Sequence, residues 1–595
     1  MKSFGNSGVS KFAISLFAIG SILTITLPIS LIQILRTAHA QSLTARWTSK
    51  NAPEFSASTM TRLHNGKLIS VGIVTQLNEQ PRRVAIYDPI TDVWRETAPL
   101  IYARSNSTPI LLNDGRLLVV GGSKIEPGVA TPLPVPQPEL FDPATEQWTE
   151  VQTNPTPGEL ININIWLRSS FRYLQNGKVL VLSQIYNKAY LFDPETGNIR
   201  QAKMSPQTFI GNTSPSSLLL RDGRVLFLSN ESSFGMGSTA EIFNPDLETW
   251  NKVDLPQGIG AAVSNRLAAL LPDGSALGLF TLSNRSTRIS ASFDPLTGKW
   301  ANETARHTES LGTVTLTTGE ELAFTNNAAE IYNPASNTWR TVDAPTRSSA
   351  GAVLLASGQV YTGSELYGVD FRSTVTPTAV NASAASFRVE PLARGAIASI
   401  FGSNLSGDVR LRDQSGEERV VNRVFAATSS QINYLLPENI PTGQAEMLVG
   451  NQRALLSIVN VSPGLFTANA DGRGVPAAVI VRVKADGSQT FEPVASFDSG
   501  TSRFIPAAID LGADTETVFL ALFGTGVRNR TSLENTLAYI GGVKAPVQFV
   551  GAQGGFDGLD QINIQIPRSV SGRGDVDVLV TVDGKTANPV RIKIN

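Results

Sequence analysis

Phe243-Asn244-Pro245-Asp246-Leu247-Glu248-Thr249-Trp250 is one copy of the pattern that decides the fold of this 595-residue chain. An aromatic residue, an Asp or Asn and a Pro follow one another, and a Trp stands five residues after the Pro. The tripeptide occurs six times, and only the third copy has an isoleucine, Ile199, in place of the tryptophan. The six copies are Tyr87-Asp88-Pro89, Phe141-Asp142-Pro143, Phe192-Asp193-Pro194, Phe243-Asn244-Pro245, Phe293-Asp294-Pro295 and Tyr332-Asn333-Pro334.

The residue types in this pattern predict a turn between two strands. Asp or Asn before Pro starts a type I turn, because its side-chain oxygen caps nearby backbone N–H groups and the proline fixes φ at the next position. The aromatic residue ends the strand before the turn. The tryptophan begins the strand after it, where a large flat side chain fills the gap between neighbouring sheets.

A second signal, Asn-Gly or Asp-Gly, recurs out of phase with the first. Both central residues of a type I′ turn need positive φ, so these dipeptides predict two-residue hairpins. Each is followed by an apolar strand such as Leu117-Leu118-Val119-Val120, which suits burial between layers. The hairpin signals are Asn65-Gly66, Asp114-Gly115, Asn176-Gly177, Asp222-Gly223, Asp273-Gly274 and the weaker Gly319 and Gly358.

Together the two signals predict an antiparallel unit of four strands and about 50 residues. This unit resembles the kelch repeat, and the resemblance covers roughly residues 41–371. It implies a β-propeller. The family's di-glycine after the second strand is kept only as Gly121-Gly122, whereas the turn and tryptophan positions are well kept.

Seven hairpin glycines but six aromatic turns predict that one blade is split between distant segments. Trp47 followed by Ala52-Pro53 matches Trp339 followed by Ala344-Pro345, so Trp47 marks the last strand of a unit whose first strands come from residues 347–371. Pairing these segments removes the open edges of the ring. We predict seven blades, with six as the alternative.

The last third of the chain carries different signals. Residues 372–386 are predicted to form a linker, after which Gln431-Ile432-Asn433-Tyr434-Leu435-Leu436-Pro437 is paralleled by Gln561-Ile562-Asn563-Ile564-Gln565-Ile566-Pro567. Short alternating strands between Gly, Asn and Pro turns predict two immunoglobulin-like β-sandwich modules, residues 387–468 and 469–595. The whole chain is therefore predicted to be all-β.

These modules resemble immunoglobulin-like domains of the IPT/TIG type. They are similar still more closely to an uncharacterised C-terminal domain of secreted acidobacterial proteins, which includes a segment like Val461-Ser462-Pro463-Gly464-Leu465-Phe466. The first copy departs from that pattern because it is short and charged around residues 410–423. The resemblance implies bacterial export and no known activity.

Residues 1–40 have the pattern of a signal peptide. Lys2 and Lys11 precede an apolar run over residues 12–35, and Ala38-His39-Ala40 matches the cleavage pattern. Export to the periplasm or the exterior is predicted, with no membrane association after cleavage; an uncleaved anchor is the alternative. Lys plus Arg (49) balances Asp plus Glu (50), which disfavours nucleic acid as a partner.

A propeller followed by an immunoglobulin-like domain also resembles galactose oxidase and its relatives. That resemblance implies copper held by histidines and a radical cofactor made from a cysteine joined to a tyrosine. The chain has no cysteine, and beyond the predicted signal it has only His64 and His307, so this copper chemistry is excluded. The same scarcity excludes thiolate zinc sites and cysteine nucleophiles. We predict no catalytic residue, no cofactor and no metal site.

Propellers bind ligands at a channel mouth formed by loops that enter the innermost strands and loops that join the second and third strands. Arg104, Arg347 and Asn212 are candidate mouth residues, because each lies about eleven residues upstream of a hairpin. The alternative is that such arginines are structural partners of carbonyls and carboxylates within the ring. Two insertions, residues 124–138 and 154–166, predict longer loops on the binding side.

Abundant structural signals with almost no catalytic chemistry predict a secreted binding or scaffolding protein with an unknown protein or glycan ligand. An extracellular carbohydrate-active enzyme that uses carboxylates at the propeller mouth is the second hypothesis. Buried acids with raised pKa values at that mouth would favour it. A structural component of the cell surface or matrix is the third.

Overall fold

The structure is a computed structural model. It describes residues 45–51, 59–73, 82–124, 133–135, 137–157, 163–166, 169–183, 185–186, 188–203, 216–229, 239–256, 264–282, 284, 287–306, 312–325, 327–346, 351–369 and 377–595. The predicted signal peptide lies outside these residues. Within them, no helix is both long enough and apolar enough to cross a membrane.

The described residues up to 369 form short strands and one 3-10 helix, Ile163–Trp166. In chain order the first strands are β1 (Ala45–Ser49), β2 (Met60–Arg62), β3 (Leu68–Ile73), β4 (Arg83–Asp88), β5 (Val93–Glu96), β6 (Thr108–Leu111), β7 (Leu117–Val120), β8 (Ser123–Lys124), β9 (Leu133–Pro134), β10 (Glu139–Asp142), β11 (Gln147–Glu150), β12 (Asn154–Pro155), β13 (Ser169–Tyr173), β14 (Val179–Ser183), β15 (Lys188–Phe192) and β16 (Asn198–Gln201). They are followed by β17 (Ser216–Leu219), β18 (Val225–Leu228), β19 (Ala240–Asn244), β20 (Thr249–Val253), β21 (Ser264–Leu270), β22 (Ala276–Thr281), β23 (Arg288–Asp294), β24 (Lys299–Ala305), β25 (Gly312–Thr315), β26 (Glu321–Phe324), β27 (Ala329–Asn333), β28 (Thr338–Val342), β29 (Val353–Leu354), β30 (Val360–Tyr361) and β31 (Glu365–Val369).

Apart from the hairpin β8–β9, these strands form seven sheets in the described part of the chain. Sheet 1 is β2 to β5, sheet 2 is β6, β7, β10 and β11, and sheet 3 is β13 to β16 with β12 added in parallel to β16. Sheets 4, 5 and 6 are β17 to β20, β21 to β24 and β25 to β28, and sheet 7 is β29 to β31 with β1. The all-β fold predicted from the sequence is confirmed.

Buried apolar clusters join each sheet to the next, so the sheets form a closed ring. Residues of sheets 1 and 2 share one cluster, and five further clusters continue in the same way to sheet 7. The last cluster packs Leu68 and Tyr87 of sheet 1 against Tyr361 and Leu366 of sheet 7. Such a ring of sheets is a propeller.

Sheet 7 is built from both ends of the propeller segment, as predicted. Strand β1 pairs antiparallel with β31, and Trp47 lies opposite Tyr367. The Trp47 ring lies 5.1 Å from the Tyr367 ring and 6.1 Å from that of Phe324 in sheet 6. Its indole N–H donates to the carbonyl of Asp343 at 2.7 Å. The split sheet therefore seals the ring through backbone pairing and an aromatic contact.

The predicted roles of the aromatic turns are confirmed. The side-chain oxygen of Asp88 accepts the N–H of Ile90 at 3.0 Å, and each of the other five Asx residues accepts the N–H two positions on. The tryptophans lie between sheets. The Trp148 indole of sheet 2, for example, donates to the Ala98 carbonyl beyond the last strand of sheet 1.

The missing tryptophan of the third copy is replaced in space by Trp166. This residue is 2% exposed and lies in the same cluster as Ile199. Its ring meets that of Phe192 edge-on at 5.4 Å between centroids. The insertion over residues 154–166, which we predicted to be a loop on the binding side, therefore supplies a strand, β12, and a core aromatic group.

The hairpins differ from the predicted type I′ geometry. Gly66 has φ of +82°, but Asn65 is not among the residues with positive φ. The Gly66 N–H donates to the Leu63 carbonyl at 3.0 Å, and the Asn65 side chain accepts the N–H of Lys67 at 3.1 Å. This side-chain bond stabilises a type I turn, after which glycine alone needs the left-handed conformation. His64 therefore stands at the tip of the turn.

Two β-sandwich modules follow the propeller. Their strands are β32 (Val380–Ser383), β33 (Leu392–Ala393), β34 (Ile397–Phe401), β35 (Val409–Asp413), β36 (Glu418–Val420), β37 (Val424–Ala427), β38 (Gln431–Leu435), β39 (Gly443–Val449), β40 (Gln452–Val459), β41 (Gly464–Leu465), β42 (Ala478–Val483) and β43 (Gln489–Pro493). They continue with β44 (Ala495–Asp498), β45 (Arg503–Pro506), β46 (Ala508–Ile509), β47 (Thr517–Thr525), β48 (Thr536–Ile540), β49 (Val543–Ala545), β50 (Val547–Ala552), β51 (Asp560–Gln565), β52 (Gly574–Val582), β53 (Lys585–Thr586) and β54 (Val590–Ile594), with a 3-10 helix at Arg568–Val570.

Each module has two main sheets around its own apolar core, and the second module also has a two-stranded sheet of β44 and β45. Strand β32 already pairs with β34, although residues 372–386 were predicted to be a linker. Strand β41 pairs with β47 of the second module, although it lies in the range predicted for the first. Both strands thus pair outside the ranges predicted for their modules, and the exact module boundaries stay a prediction. The immunoglobulin-like assignment stays a prediction.

Candidate functional site

Arg104 lies in the connection that enters β6 of sheet 2, and its assignment to a ligand-binding mouth stays a prediction. Its side chain is fully buried, and its guanidinium donates to Glu139 at 2.6 Å, to the Gln137 carbonyl at 2.7 Å and to the Gly121 carbonyl at 3.1 Å. Glu139 also accepts the N–H groups of Ile101 and Tyr102. The pair ties the chain entering sheet 2 to its third strand, which is the structural alternative considered for this arginine.

Asn212 and Arg347 lie outside the described residues, as does His307. Their assignment to the mouth stays a prediction. Of the first insertion, β8 and β9 form a short hairpin, and Val135 beyond β9 is 1% exposed. The range 124–138 therefore includes paired and buried residues and is not a loop along its whole length.

The opposite end of the hub is formed by the seven hairpin turns. In each turn the carbonyl of a leucine accepts the N–H of the hairpin glycine three positions later. The residue that follows the leucine stands at the tip of the turn. These tip residues are His64, Asn113, Gln175, Arg221, Pro272, Thr317 and Ala356. A Cβ atom on Gly115 would lie 3.0 Å from His64 Nδ1, and one on Gly319 would lie 2.5 Å from Pro272 Cγ. The tip of one sheet thus rests on the hairpin glycine of the next.

The first sandwich module docks on this hairpin face. The Val389 N–H donates to the His64 carbonyl at 2.8 Å, and a Cβ atom on Gly66 would lie 2.7 Å from Val389 Cγ1. The Arg388 guanidinium donates to the Asn113 carbonyl of the next hairpin. At sheet 7, the neighbour of sheet 1 in the ring, the Gln444 amide oxygen of the same module accepts the N–H of Val369 at 2.6 Å.

The second module docks on the same face, around sheets 3 and 4. Leu579 lies against the Gly177 hairpin. The Tyr539 hydroxyl and the Lys544 ammonium reach Asp246 in an aromatic turn, at 3.3 and 3.0 Å. The hairpin turn joins the first and second strands of a sheet and the aromatic turn joins the third and fourth, so both turns lie at the same end of the sheet. The contacts of the two modules therefore cover this end of the ring.

A cavity of about 570 Å³ lies between the hairpin ends and the modules, and it is partly open to solvent. The propeller contributes Arg62, His64 and Arg221 to its lining, and the modules contribute Arg388, Glu390, Asp583 and Lys585. Apolar side chains such as Leu270 and Leu354 complete the wall. It is the candidate functional site in the described part of the chain, because it combines an enclosed volume with convergent charged groups.

Burial governs the electrostatics of this cavity. It lowers the pKa of His64 to about 3, with Arg388, Arg62 and Arg473 acting in the same direction, so this histidine is neutral at physiological pH. Burial also lowers the pKa of Lys585 to about 8, although Glu390 and Asp583 oppose the shift. Lys585 as a whole residue is exposed, so its lowered pKa reflects the protein atoms packed around its ammonium group and not burial of the whole side chain. Burial raises the pKa of Glu390 against the pull of Arg388, Arg62 and Lys585.

Two observations among the described residues bear on metal binding and on acid chemistry. No group of three or more His, Asp or Glu side chains there is placed to hold a metal ion. Burial raises the pKa of Glu321 to about 8, but its carboxylate faces Thr313, Thr315 and Arg266. It lies at the start of β26 next to the Thr318–Gly319 hairpin, at the covered end of the ring. It is therefore not the acid at the open mouth that the enzyme hypothesis requires.

Sequence reasoning missed the cavity residues. His64 and Arg62 precede an Asn-Gly signal, so their position at the hub end could have been found from the repeat register. Arg388, Glu390 and Lys585 carry no local signal. Only the docking of the modules, which no periodicity encodes, brings them to the hub.

Gly66→Ala will test the docking contact at Val389. The φ of +82° makes any Cβ atom costly, and overlap with Val389 adds to that cost. Gly298 is the matched control, because its φ is +69° and nothing lies within 4 Å of a Cβ atom there. We expect Gly66→Ala to lower the free energy of unfolding in urea by at least about 1 kcal/mol more than Gly298→Ala. Equal losses would contradict the docked arrangement.

Comparisons with known proteins agree with the propeller. No protein-family model matches the chain. An F-box/kelch-repeat protein of Arabidopsis thaliana is 28% identical over 123 residues, which is 18% of this chain. The chain spans about a quarter of that relative's length.

Solved structures are similar at low identity. The extracellular domain of a one-component system from B. thetaiotaomicron is 12% identical, with a TM-score of 0.41 over 69% of this chain and 57% of that one. A fungal alcohol oxidase of the AA5 family in complex with copper is 12% identical, with a TM-score of 0.31 over 68% and 85%. Similarities at this sequence identity and TM-score indicate nothing about the activity of this chain.

Proposed function

We propose that this is an exported, non-catalytic binding or scaffolding protein whose propeller presents a partner surface on the face opposite the sandwich modules. The observation that carries the proposal is the docking of both modules on the hairpin face. Docking there leaves the other face, with the connections into the innermost strands and from second to third strands, to meet a partner. Loops on a rigid ring are the usual place for recognition. The likeness to a kelch-repeat protein agrees with this role.

Array binding by the chain from residue 41 onward tests the proposal. On a combined glycan and protein array we expect saturable binding to at least one component, with a dissociation constant of about 10 μM or tighter. Release of new reducing ends from any bound glycan would overturn the non-catalytic assignment. Absence of saturable binding by folded protein would overturn the binding role.

The first insertion supplies a variant for the same assay. Replacing residues 126–131, which join β8 to β9, by Gly-Ser repeats keeps the buried Val135 in place. We expect the thermal unfolding midpoint to change by less than about 2 °C, because the replacement leaves β8, β9 and Val135 unchanged. Affinity for the array partner should fall at least about tenfold. An unchanged affinity would remove this loop from the partner surface, and a collapse of stability would show that it is structural.

A further inference from the structure

The cavity between the hairpin face and the modules contains more positive than negative charge. Four cations, Arg62, Arg221, Arg388 and Lys585, line it together with two carboxylates, Glu390 and Asp583. His64 adds no charge, since its pKa is lowered to about 3. A net excess of two positive charges in a cavity that is only partly open to solvent is unfavourable unless a counter-charge is present.

The hydrogen bonds of these cations do not supply that counter-charge. Lys585 Nζ donates to the Val461 carbonyl at 2.8 Å. Arg62 donates to the Leu354 carbonyl at 3.1 Å, and Arg388 donates to the carbonyls of Thr586 and Asn113. Carbonyl oxygens orient these groups without neutralising them, so donor N–H groups are left for an anion.

The two carboxylates are held differently. The Asp583 carboxylate accepts hydrogen bonds from the N–H and the hydroxyl of Thr531, at 2.9 and 2.6 Å. Among the described residues, Glu390 accepts one hydrogen bond, from the Ser386 hydroxyl at 3.4 Å. Glu390 can therefore accept further donors, such as hydroxyl groups of a ligand.

We propose that this cavity binds a small hydroxylated monocarboxylate of sugar-acid size, with its carboxylate among Lys585, Arg62 and Arg388 and its hydroxyl groups towards Glu390. The volume of about 570 Å³ is in the range of small-molecule sites. Thr315, Thr317 and Thr442 in the wall add hydroxyl partners. A dianion such as phosphate is disfavoured because Glu390 would repel its second charge. The site lies on the face opposite the proposed partner surface, so the two proposals are tested separately.

Calorimetry with the chain from residue 41 onward tests the site at pH 7 and low salt. The probes are D-glucuronate, D-glucose as the neutral molecule of the same shape, and inorganic phosphate. We expect saturable 1:1 binding of glucuronate that is at least about tenfold tighter than that of glucose or phosphate. Equal binding of glucose, tighter binding of phosphate, or no binding of glucuronate would each overturn the proposal.

Two substitutions with opposite expected effects separate the site from a folding defect. Lys585→Met should weaken glucuronate binding at least about tenfold, because it removes a cation from the cavity. Glu390→Gln should tighten it about threefold or more, because it removes the repelling charge and keeps the hydrogen-bonding capacity. Lys593→Met, an exposed change on β54 of the same module, should leave it unchanged. Weaker binding by Glu390→Gln, or no change with Lys585→Met, would overturn the proposal.

The pH dependence gives an independent readout. The Lys585 ammonium faces Glu390, Asp583, Arg221 and Arg62, and its pKa is lowered to about 8. An anion favours the charged form, so affinity should fall as the pH rises from 7 to 9.5 and Lys585 loses its proton. Lys585→Met should show a flat profile over the same range. A fall of the same size in that variant would assign the dependence to another group and contradict the proposed role of Lys585.

Discussion

A chain that begins at residue 52 is expected to lose the cooperative unfolding of its propeller. This truncation removes β1, and with it the backbone pairing to β31 and the contacts of Trp47 with Tyr367 and Phe324. The partly buried Trp47 and the five paired residues of β1 are lost together, so both ring packing and backbone hydrogen bonds disappear. The exposed edge of β31 also becomes a site for pairing between molecules. We expect a thermal midpoint at least about 10 °C lower and a shift to larger species in size-exclusion chromatography.

The matched control begins at residue 44 and keeps β1 intact. It should unfold at the same temperature as the chain that begins at residue 41. A synthetic peptide of residues 41–51 added to the truncated chain should restore part of the stability, because it can add to the free sheet edge. If the two truncations unfolded alike, the ring would not depend on β1, and the sealing role of sheet 7 would be wrong.

The second large effect is expected at the buried pair of Arg104 and Glu139. Both side chains are fully buried. Arg104→Met leaves the Glu139 carboxylate with only backbone donors, and Glu139→Gln leaves the guanidinium without its counter-charge. Removing one partner of a buried pair costs about 3–5 kcal/mol, so each single variant should lower the urea midpoint strongly.

The double variant Arg104→Met with Glu139→Gln completes a thermodynamic cycle. It should be less destabilised than the sum of the two single losses, because no uncompensated charge is left in the core. Arg83 and Glu96 provide a surface control, since their side chains are 33% and 56% exposed. Replacing either should change stability by less than about 1 kcal/mol. Additive losses at Arg104 and Glu139 would contradict their coupling.

The propeller could be predicted from sequence because its signals are local and repeated. An Asx side chain accepts the backbone N–H two residues later, and a tryptophan at a fixed offset packs between two neighbouring sheets. Each copy therefore contains within a few residues the interactions that determine its structure. The predicted type I′ hairpin was wrong, because an Asx-Gly pair fits both a type I′ turn and a type I turn followed by glycine. The hydrogen bond from the Lys67 N–H to the Asn65 side chain favours the second. The short strands β32 and β41 were missed, because segments of four and two residues carry too little hydrophobic pattern to indicate a strand.

The candidate site could not be predicted in the same way. Arg104 stood out because of its place in the repeat, yet the register could not distinguish a mouth residue from a buried partner of Glu139. Lys585 and Arg388 lie in unremarkable segments, and their importance comes from the face on which the modules dock. Residue spacing describes neighbours within a sheet, whereas this site depends on contacts between domains.

The pairing of β1 with β31 also determines when the ring can close during synthesis of the chain. Thr48 bonds to the Leu366 carbonyl across 318 residues of chain. Every other sheet of the ring can assemble from strands that emerge close together, whereas the first strand must wait, unpaired, for a partner made near the end of the propeller. Closing so long a loop is entropically costly and slow. Residues 45–49 of a nascent chain are therefore exposed to wrong pairing for the longest time, and a chaperone that binds them would protect the step that closes the ring.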